Sequence, residues 1–407
     1  MEDKDIQGIK QQIRSRVCNN IDLSREISDE EVRRMIQHFM MEELQGGYYS
    51  IQQKEEIASW VFASIRKLDV LQDLIEDEQI SEIMINGPED IFVEKNGSIW
   101  QLDKHFDSKE RLEDVIQQIV SGVNRTVNES SPIVDARLEN GSRVNIVLSP
   151  PAINGPIVTI RRFPECAITM EKLIALESIS AEAAAFLEHA VKRGANIFIS
   201  GGTGSGKTTF LNALARFIPG DERIITIEDS AELQIRGIAN LIRLETRNST
   251  AEGCKEITIR DLIKSALRMR PDRIIVGEVR GDEAIDMLQA FNTGHDGSLS
   301  TGHANSAQDM LYRLETMVLM GLDIPLPAVR RQISSGIDIL IHLARMQDKS
   351  RRVVEIYEVM ELKDNEIVLH PLFLRRWNES RPDEKRGGIA PLMKVGEVKK
   401  IYKLRED

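Results

Sequence analysis

The sequence predicts an α/β protein. Its main domain is a mostly parallel sheet covered by helices, preceded by a smaller α+β domain and a helical N-terminal segment. Three observations carry this prediction. Beyond about residue 170, short apolar runs alternate with helical stretches, the pattern of parallel strands joined by crossover helices. Between residues 71 and 163, apolar runs are joined across Asn-Gly pairs, the strongest short-range hairpin signal. In the first 70 residues apolar side chains recur at three- and four-residue spacing, the mark of amphipathic helices. The expected segments are therefore 1–70 (helical), 71–163 (α+β), 164–374 (α/β) and a basic tail at 375–407.

The helical segment opens with Ser28-Asp29-Glu30-Glu31, a capping box flanked by Ile27 and Val32 as a hydrophobic staple. Val32, Met35, Ile36, Phe39 and Met40 form one stripe, ended by Gly46-Gly47. Ile57, Trp60, Val61, Ile65 and Leu68 form a second, with Ser50 as its N-cap. Hairpins follow at Asn86-Gly87, Asn96-Gly97 and Asn140-Gly141, with a helix over 109–123. Residues 164–169 read as a linker. Strands are then expected at 197–199, 224–227, 241–244, 274–276 and 339–341. The tail holds ten Lys/Arg against six Asp/Glu, net +4 in an acidic chain, and reads as a solvated terminus.

Composition narrows the function classes. The 407 residues exceed one ordinary core. Apolar residues make up 41% and charged residues 29%, a globular balance. With 53 Lys/Arg against 65 Asp/Glu the net charge is −12, which argues against direct nucleic-acid binding, where a basic surface is expected. No apolar run approaches the roughly 20 residues of a membrane span, and the acidic, polar start is unlike a secretory signal. Cys18, Cys166 and Cys254 are odd in number and lack C-x-x-C spacing, as expected of reduced thiols. The expectation is a cytoplasmic protein that meets a membrane only through a partner.

The most informative segment is Gly201-Gly202-Thr203-Gly204-Ser205-Gly206-Lys207-Thr208-Thr209. It satisfies G-x-x-x-x-G-K-[ST] between an apolar strand and a helix. That order converges backbone N–H groups on the phosphates of a nucleoside triphosphate. Lys207 adds a positive charge and the Thr208 hydroxyl faces Mg²⁺. ATP and Mg²⁺ are the expected cofactors, with Gly202, Thr203, Gly204, Ser205, Gly206, Lys207, Thr208 and Thr209 as the cradle.

Hydrolysis also needs a placed water and charge compensation. The strand at 274–276 runs into Gly277-Glu278, so Glu278 is the candidate to orient or deprotonate the water. Gly277 stands where a Walker B aspartate is usual, which leaves Mg²⁺ to Thr208, phosphate oxygens and waters. Glu228-Asp229 ends a second strand, and Glu228 is a candidate partner to the groups or water around the metal ion; a surface turn is the plain alternative. The segment 293–305 carries His295 and His303, two of seven histidines; no companion ligand has zinc spacing, and a His beside the γ-phosphate could sense it. Arg137, Arg143, Arg161 and Arg162 near the end of the α+β segment could fork onto phosphates or form surface ion pairs.

Taken in order, these motifs resemble the secretion ATPase superfamily of type II and type IV secretion and type IV and Tad-type pili. The segments 81–87, 131–138, 141–145, 159–163 and 300–305 most resemble its CpaF-type pilus-assembly subgroup. The resemblance spans about 71–374. It implies a RecA-like P-loop NTPase motor domain, a separate N-terminal domain and a homohexameric ring. It assigns Glu278 as catalytic glutamate, Glu228 to the acidic box, and His295 and His303 to the histidine box. Arg143 and Arg161 match arginines that reach the phosphates from the N-terminal domain. The implied protein is a cytoplasmic hexameric ATPase driving pilus assembly or secretion through an inner-membrane platform. A conjugation-type DNA-transfer ATPase and an ATP-gated switch with little turnover are the alternatives.

Overall fold

The computed structural model describes residues 3–20, 28–44, 48–66, 68–95, 97–122, 125–138, 140–162, 168–247, 255–375 and 390–400. Ile27, the Gly46-Gly47 turn, Asn96, Cys166, Cys254, most of the 164–169 linker, and residues 376–389 and 401–407 of the tail lie outside them. The chain forms two compact units, Met1–Pro164 and Glu165–Asp407.

The first unit begins with helices α1 (Asp3–Asn20), α2 (Asp29–Glu43) and α3 (Ile51–Arg66). Ile13, Val17, Val32, Ile36, Ile57 and Val61 are buried among them. The capping box forms as expected: Glu31 N–H donates to Ser28 Oγ at 3.3 Å and Ser28 N–H to the Glu31 carboxylate at 3.1 Å, an arrangement worth about 1 kcal/mol. Ser50 and Gln53 make the same reciprocal pair at the head of α3, at 3.1 and 2.9 Å. Leu68, expected to continue the α3 stripe, packs instead against the following core, because α3 ends at Arg66 and the chain turns into α4 (Val70–Glu76).

That core lies under a six-stranded antiparallel sheet. Its strands are β1 (Ile80–Asn86), β2 (Ile91–Lys95), β3 (Ser98–Leu102), β4 (Ile133–Arg137), β5 (Arg143–Val147) and β6 (Ile157–Arg161), in the order β3-β2-β1-β6-β5-β4. Helix α5 (Lys109–Ser121) stops two residues before the expected end, at the Gly122 cap. Ile83, Ile85, Val144, Ile146, Val158 and Ile160 alternate inward to meet α4 and α5. The outward residues carry the charge. Arg143 lies in register with Arg137 on one side and Arg161 on the other, and Arg161 with Glu82.

The second unit starts with α6 (Met170–Ala175) and α7 (Ala181–Lys192), then β7 (Ile197–Gly201), α8 (Lys207–Ala215), β8 (Arg223–Glu228), β9 (Asn240–Glu245), α9 (Ile259–Ala266) and β10 (Arg273–Val279). It continues through α10 (Ala284–Asn292), β11 (Leu299–Gly302), α11 (Ala307–Gly321), α12 (Leu326–Gly336), β12 (Ile339–Arg345), β13 (Arg351–Lys363), β14 (Glu366–Arg375) and β15 (Leu392–Lys394). The nine strands run in the order β15-β14-β13-β12-β7-β11-β10-β8-β9. The six from β12 to β9 are parallel, and β13, β14 and β15 extend the sheet as an antiparallel meander.

All five expected strands are present. The segment 299–302, expected as part of a loop, is a sixth parallel strand at the centre, with every residue buried. Its Ser-Thr-Gly sequence hides it, since a strand covered on both faces needs no alternation. Residues 390–400, expected as solvated tail, supply β15, and the Lys399 and Lys400 N–H groups donate to the buried Glu358 carboxylate. Two cores flank the sheet. Leu187, Leu211 and Leu214 lie in one, and Ile263, Leu288, Leu314 and Val329 in the other. Among the described residues, no helix is long and apolar enough to cross a membrane.

Candidate functional site

In an open parallel sheet, ligands bind beyond the C-terminal ends of the strands. There β7 ends at Gly201, β8 at Glu228, β10 carries Glu278 into its last turn, and β11 is followed at once by His303. The phosphate loop leaves β7 and enters α8 with Gly206 as N-cap at φ +94°, a left-handed conformation open to glycine. Residues 202–206 form the loop, with Lys207, Thr208 and Thr209 in the first turn of α8.

Lys207 is buried and bends back over the loop. Its Nζ donates to Gly201 O at 3.1 Å and Gly202 O at 3.2 Å, and lies 3.2 Å from His303 Nδ1. His303 Nε2 is 2.9 Å from Glu278 Oε1. The imidazole therefore stands between the loop lysine and the strand-end glutamate. With Nδ1 accepting from Lys207 the neutral ring carries its proton on Nε2, close to Glu278 Oε1 but without an aligned hydrogen bond to it. Burial and then the Lys207 charge hold His303 below the usual imidazole range, outweighing Glu278, and burial holds Lys207 below the usual ammonium range. Arg280, which motif reasoning missed, donates from Nη2 to Glu278 Oε2 at 3.2 Å. Its signal was a cation two residues beyond the candidate glutamate. A pocket of about 720 Å³ opens beside the loop, lined by Gly202, Thr203, Arg280, His303, Tyr312 and Arg313 among others; its two arginines suit an anion.

Glu228 explains the glycine that replaces an acid on β10. A Cβ on residue 277 would stand 3.0 Å from Glu228 Cγ, so the Glu228 side chain occupies the space an aspartate there would need. Glu228 Oε2 accepts N–H groups of Glu232 at 2.6 Å and Leu233 at 2.7 Å, while Oε1 is buried without a hydrogen-bond partner among the described residues. Burial pushes this carboxyl up to about 7, against the pull of those two N–H groups. Between about pH 4.5 and 7 the folded chain then holds a proton that the unfolded chain has released. The group's favourable term is full below pH 4.5 and is lost as pH rises through 7, a change on the order of 3 kcal/mol. Glu228→Gln removes this titration. In nucleotide-free, Mg²⁺-free protein, the thermal midpoint of the variant should rise relative to wild type between pH 5.5 and 8.5. A pH-independent difference would mean that Glu228 is ionised throughout.

Residues that fit Mg²⁺ are present: the Thr208 hydroxyl at the helix head and the orphaned Glu228 Oε1. Among the described residues no cluster of three His, Cys, Asp or Glu could hold a metal by itself.

His295 is not brought to this cluster within the unit. It precedes β11, with Nδ1 3.2 Å from Ala290 O, whereas His303 follows β11. A four-residue strand, about 13 Å at about 3.3 Å per residue, separates the two ends. Arg143 and Arg161 lie in the first unit, on neighbouring strands of its sheet.

Residues 65–389 match the family model described as type II/IV secretion system protein. The chain is 32% identical over 309 residues to the conjugal transfer protein TrbB of Rhizobium radiobacter, covering 74% of this chain and 92% of that protein. It is 32% identical over 306 residues to the type IV secretion system protein VirB11 of Brucella suis, covering 68% and 84%. Among solved structures, the pilus retraction motor PilT with bound ADP aligns with a TM-score of 0.52 at 22% identity, over 74% of this chain and 82% of that one. This last likeness speaks for the fold alone, and the fold is the RecA-like α/β class predicted from the sequence.

Proposed function

Because the chain belongs to the type II/IV secretion ATPase family, we propose that it is an ATP-hydrolysing motor. In this reading it works as a homo-oligomeric, hexameric ring and drives pilus assembly or type II/IV-like secretion. It reaches the membrane as a peripheral protein, through an inner-membrane platform. The supporting observation is the contact chain from Lys207 through His303 to Glu278 and Arg280 at the mouth of the phosphate loop.

The residues divide the work as follows. Backbone N–H groups of residues 202–209 and Lys207 hold the β- and γ-phosphates. Thr208 takes Mg²⁺, which supplies charge neutralisation when bound. Glu278 accepts the hydrogen bonds of the attacking water and aligns it. His303 links the γ-phosphate end to Glu278, so the glutamate's position depends on what Lys207 touches. Glu228, buried against Gly277, is the acidic-box partner to the metal ion or its water. Arg143 and Arg161 supply further cations to the phosphates. Within its own sheet Arg143 pairs with Asp135 at 3.7 Å and Arg161 lies in register with Glu82. His295 belongs to the histidine box by motif and acts outside the Lys207 cluster.

A DNA-transfer role is a second reading, favoured by the name of the TrbB relative. The net charge of −12 opposes direct DNA binding by this subunit, and a salt-dependent DNA-binding titration separates the two. The motor reading is tested by Mg²⁺-ATP hydrolysis across protein concentration. Specific activity should climb as the ring assembles. Activity that is flat and near zero where the protein is already oligomeric would favour an ATP-gated switch instead.

A further inference from the structure

The phosphate loop has two flanks. Lys207 Nζ, His303 and Glu278 occupy the β11–β10 flank. The other flank is met by the hairpin that joins β12 to β13. Leu343 of β12 is in register with Gly201 of β7, so the hairpin's end continues just past the point where the loop begins. At that end Arg345 lies directly opposite Arg351. Arg351 Nε donates to Gly204 O at 3.0 Å, and its Cδ is 3.3 Å from where a Cβ on Gly206 would stand. Arg345 Nη1 is 3.9 Å from the corresponding point on Gly204. Both side chains are exposed, and Arg345 makes no hydrogen bond or ion pair among the described residues.

Two arginines lie opposite each other here across an antiparallel ladder, an unfavourable pairing, and the Arg345 side chain has no hydrogen bond or ion pair among the described residues. The loop's own N–H groups and Lys207 serve the phosphates. What a nucleotide adds beyond its phosphates is a flat aromatic base, and a guanidinium plane stacks on such a ring. With the terminal phosphate at the Lys207 cluster, the opposite flank is left for the nucleoside.

We propose that Arg345 and Arg351 form the nucleoside-side wall of the site and that the Arg345 guanidinium packs against the base. This rests on the nucleotide reading given under Proposed function. The test compares binding of ADP and of inorganic pyrophosphate by calorimetry, both with Mg²⁺, to the full chain. Arg345→Ala is the decisive variant, because it breaks no side-chain hydrogen bond or ion pair among the described residues. Arg351→Ala is second, since its bond to Gly204 O also shapes the loop. Arg345→Ala should bind ADP about tenfold more weakly, equivalent to about 1.4 kcal/mol, and pyrophosphate within twofold of wild type. Unchanged ADP affinity overturns the proposal. So does an equal fall for both ligands, which would make Arg345 part of the phosphate cradle. If wild type binds neither ligand, the nucleotide reading itself fails, and the proposal with it.

Discussion

Glu278→Gln is expected to lower steady-state ATP turnover by about 100-fold or more while leaving ATP affinity within threefold of wild type. Glutamine keeps the size of the side chain and still offers His303 Nε2 a carbonyl oxygen at the 2.9 Å position of Oε1. What it loses is the negative charge and the capacity to take hydrogen bonds from a water with both oxygens. Arg280 also loses its nearer anionic partner at 3.2 Å and keeps Asp229 at 4.0 Å, so a modest loosening of the pocket wall should accompany the loss of turnover. Single-turnover hydrolysis and equilibrium binding of ATP, measured on one preparation, separate the two effects. Retained turnover would remove Glu278 from the reaction and shift attention to Glu228. Equal losses in turnover and affinity would mean that the carboxylate holds the nucleotide and does not act on the water.

Lys207→Ala should weaken ATP and ADP binding by about 100-fold, or about 2.7 kcal/mol. Nζ is held by Gly201 O, Gly202 O and His303 Nδ1, which fixes the ammonium at the phosphate loop. Lys207→Arg should not restore binding, because a planar fork cannot follow a compact buried ammonium into that space. Burial holds Lys207 below the ordinary ammonium range, and bound phosphate favours its charged form. ATP binding should therefore take up a fraction of a proton in the alkaline range, and wild-type affinity should fall as pH rises there, while Lys207→Ala shows neither. Calorimetric titration in buffers of different ionisation enthalpy measures the proton uptake directly. Full affinity in Lys207→Ala would leave the loop without its central cation and the nucleotide reading without support.

Much of the site was legible in the sequence because it is local. The spacing from Gly201 to Thr208 places N–H groups, lysine and hydroxyl on one turn whatever surrounds them. Glu228 and Glu278 could be read because each ends a run of apolar residues, and strand ends converge in a parallel sheet. The capping box at Ser28 and the N-cap at Ser50 are likewise events within four residues.

Long-range register was not legible. The strand β11 is composed of small polar residues that become strand only because β10 and β7 pair with it on both sides. That pairing sends His303 to Lys207 and leaves His295 at the other end, although the two are eight residues apart in one motif. Arg345 and Arg351 stand far from the phosphate loop in sequence and arrive beside Gly204 because β12 pairs with β7. The glycine at 277 looks like a lost metal ligand in the sequence, and in space it is room for Glu228. By itself, then, the sequence determined the α/β class, the phosphate loop and the strand-end acids, since each depends on residues within one turn or one strand. Tertiary structure decided which histidine meets the lysine, which arginines reach the loop and why an acid is absent at 277, since each depends on pairings between segments tens of residues apart.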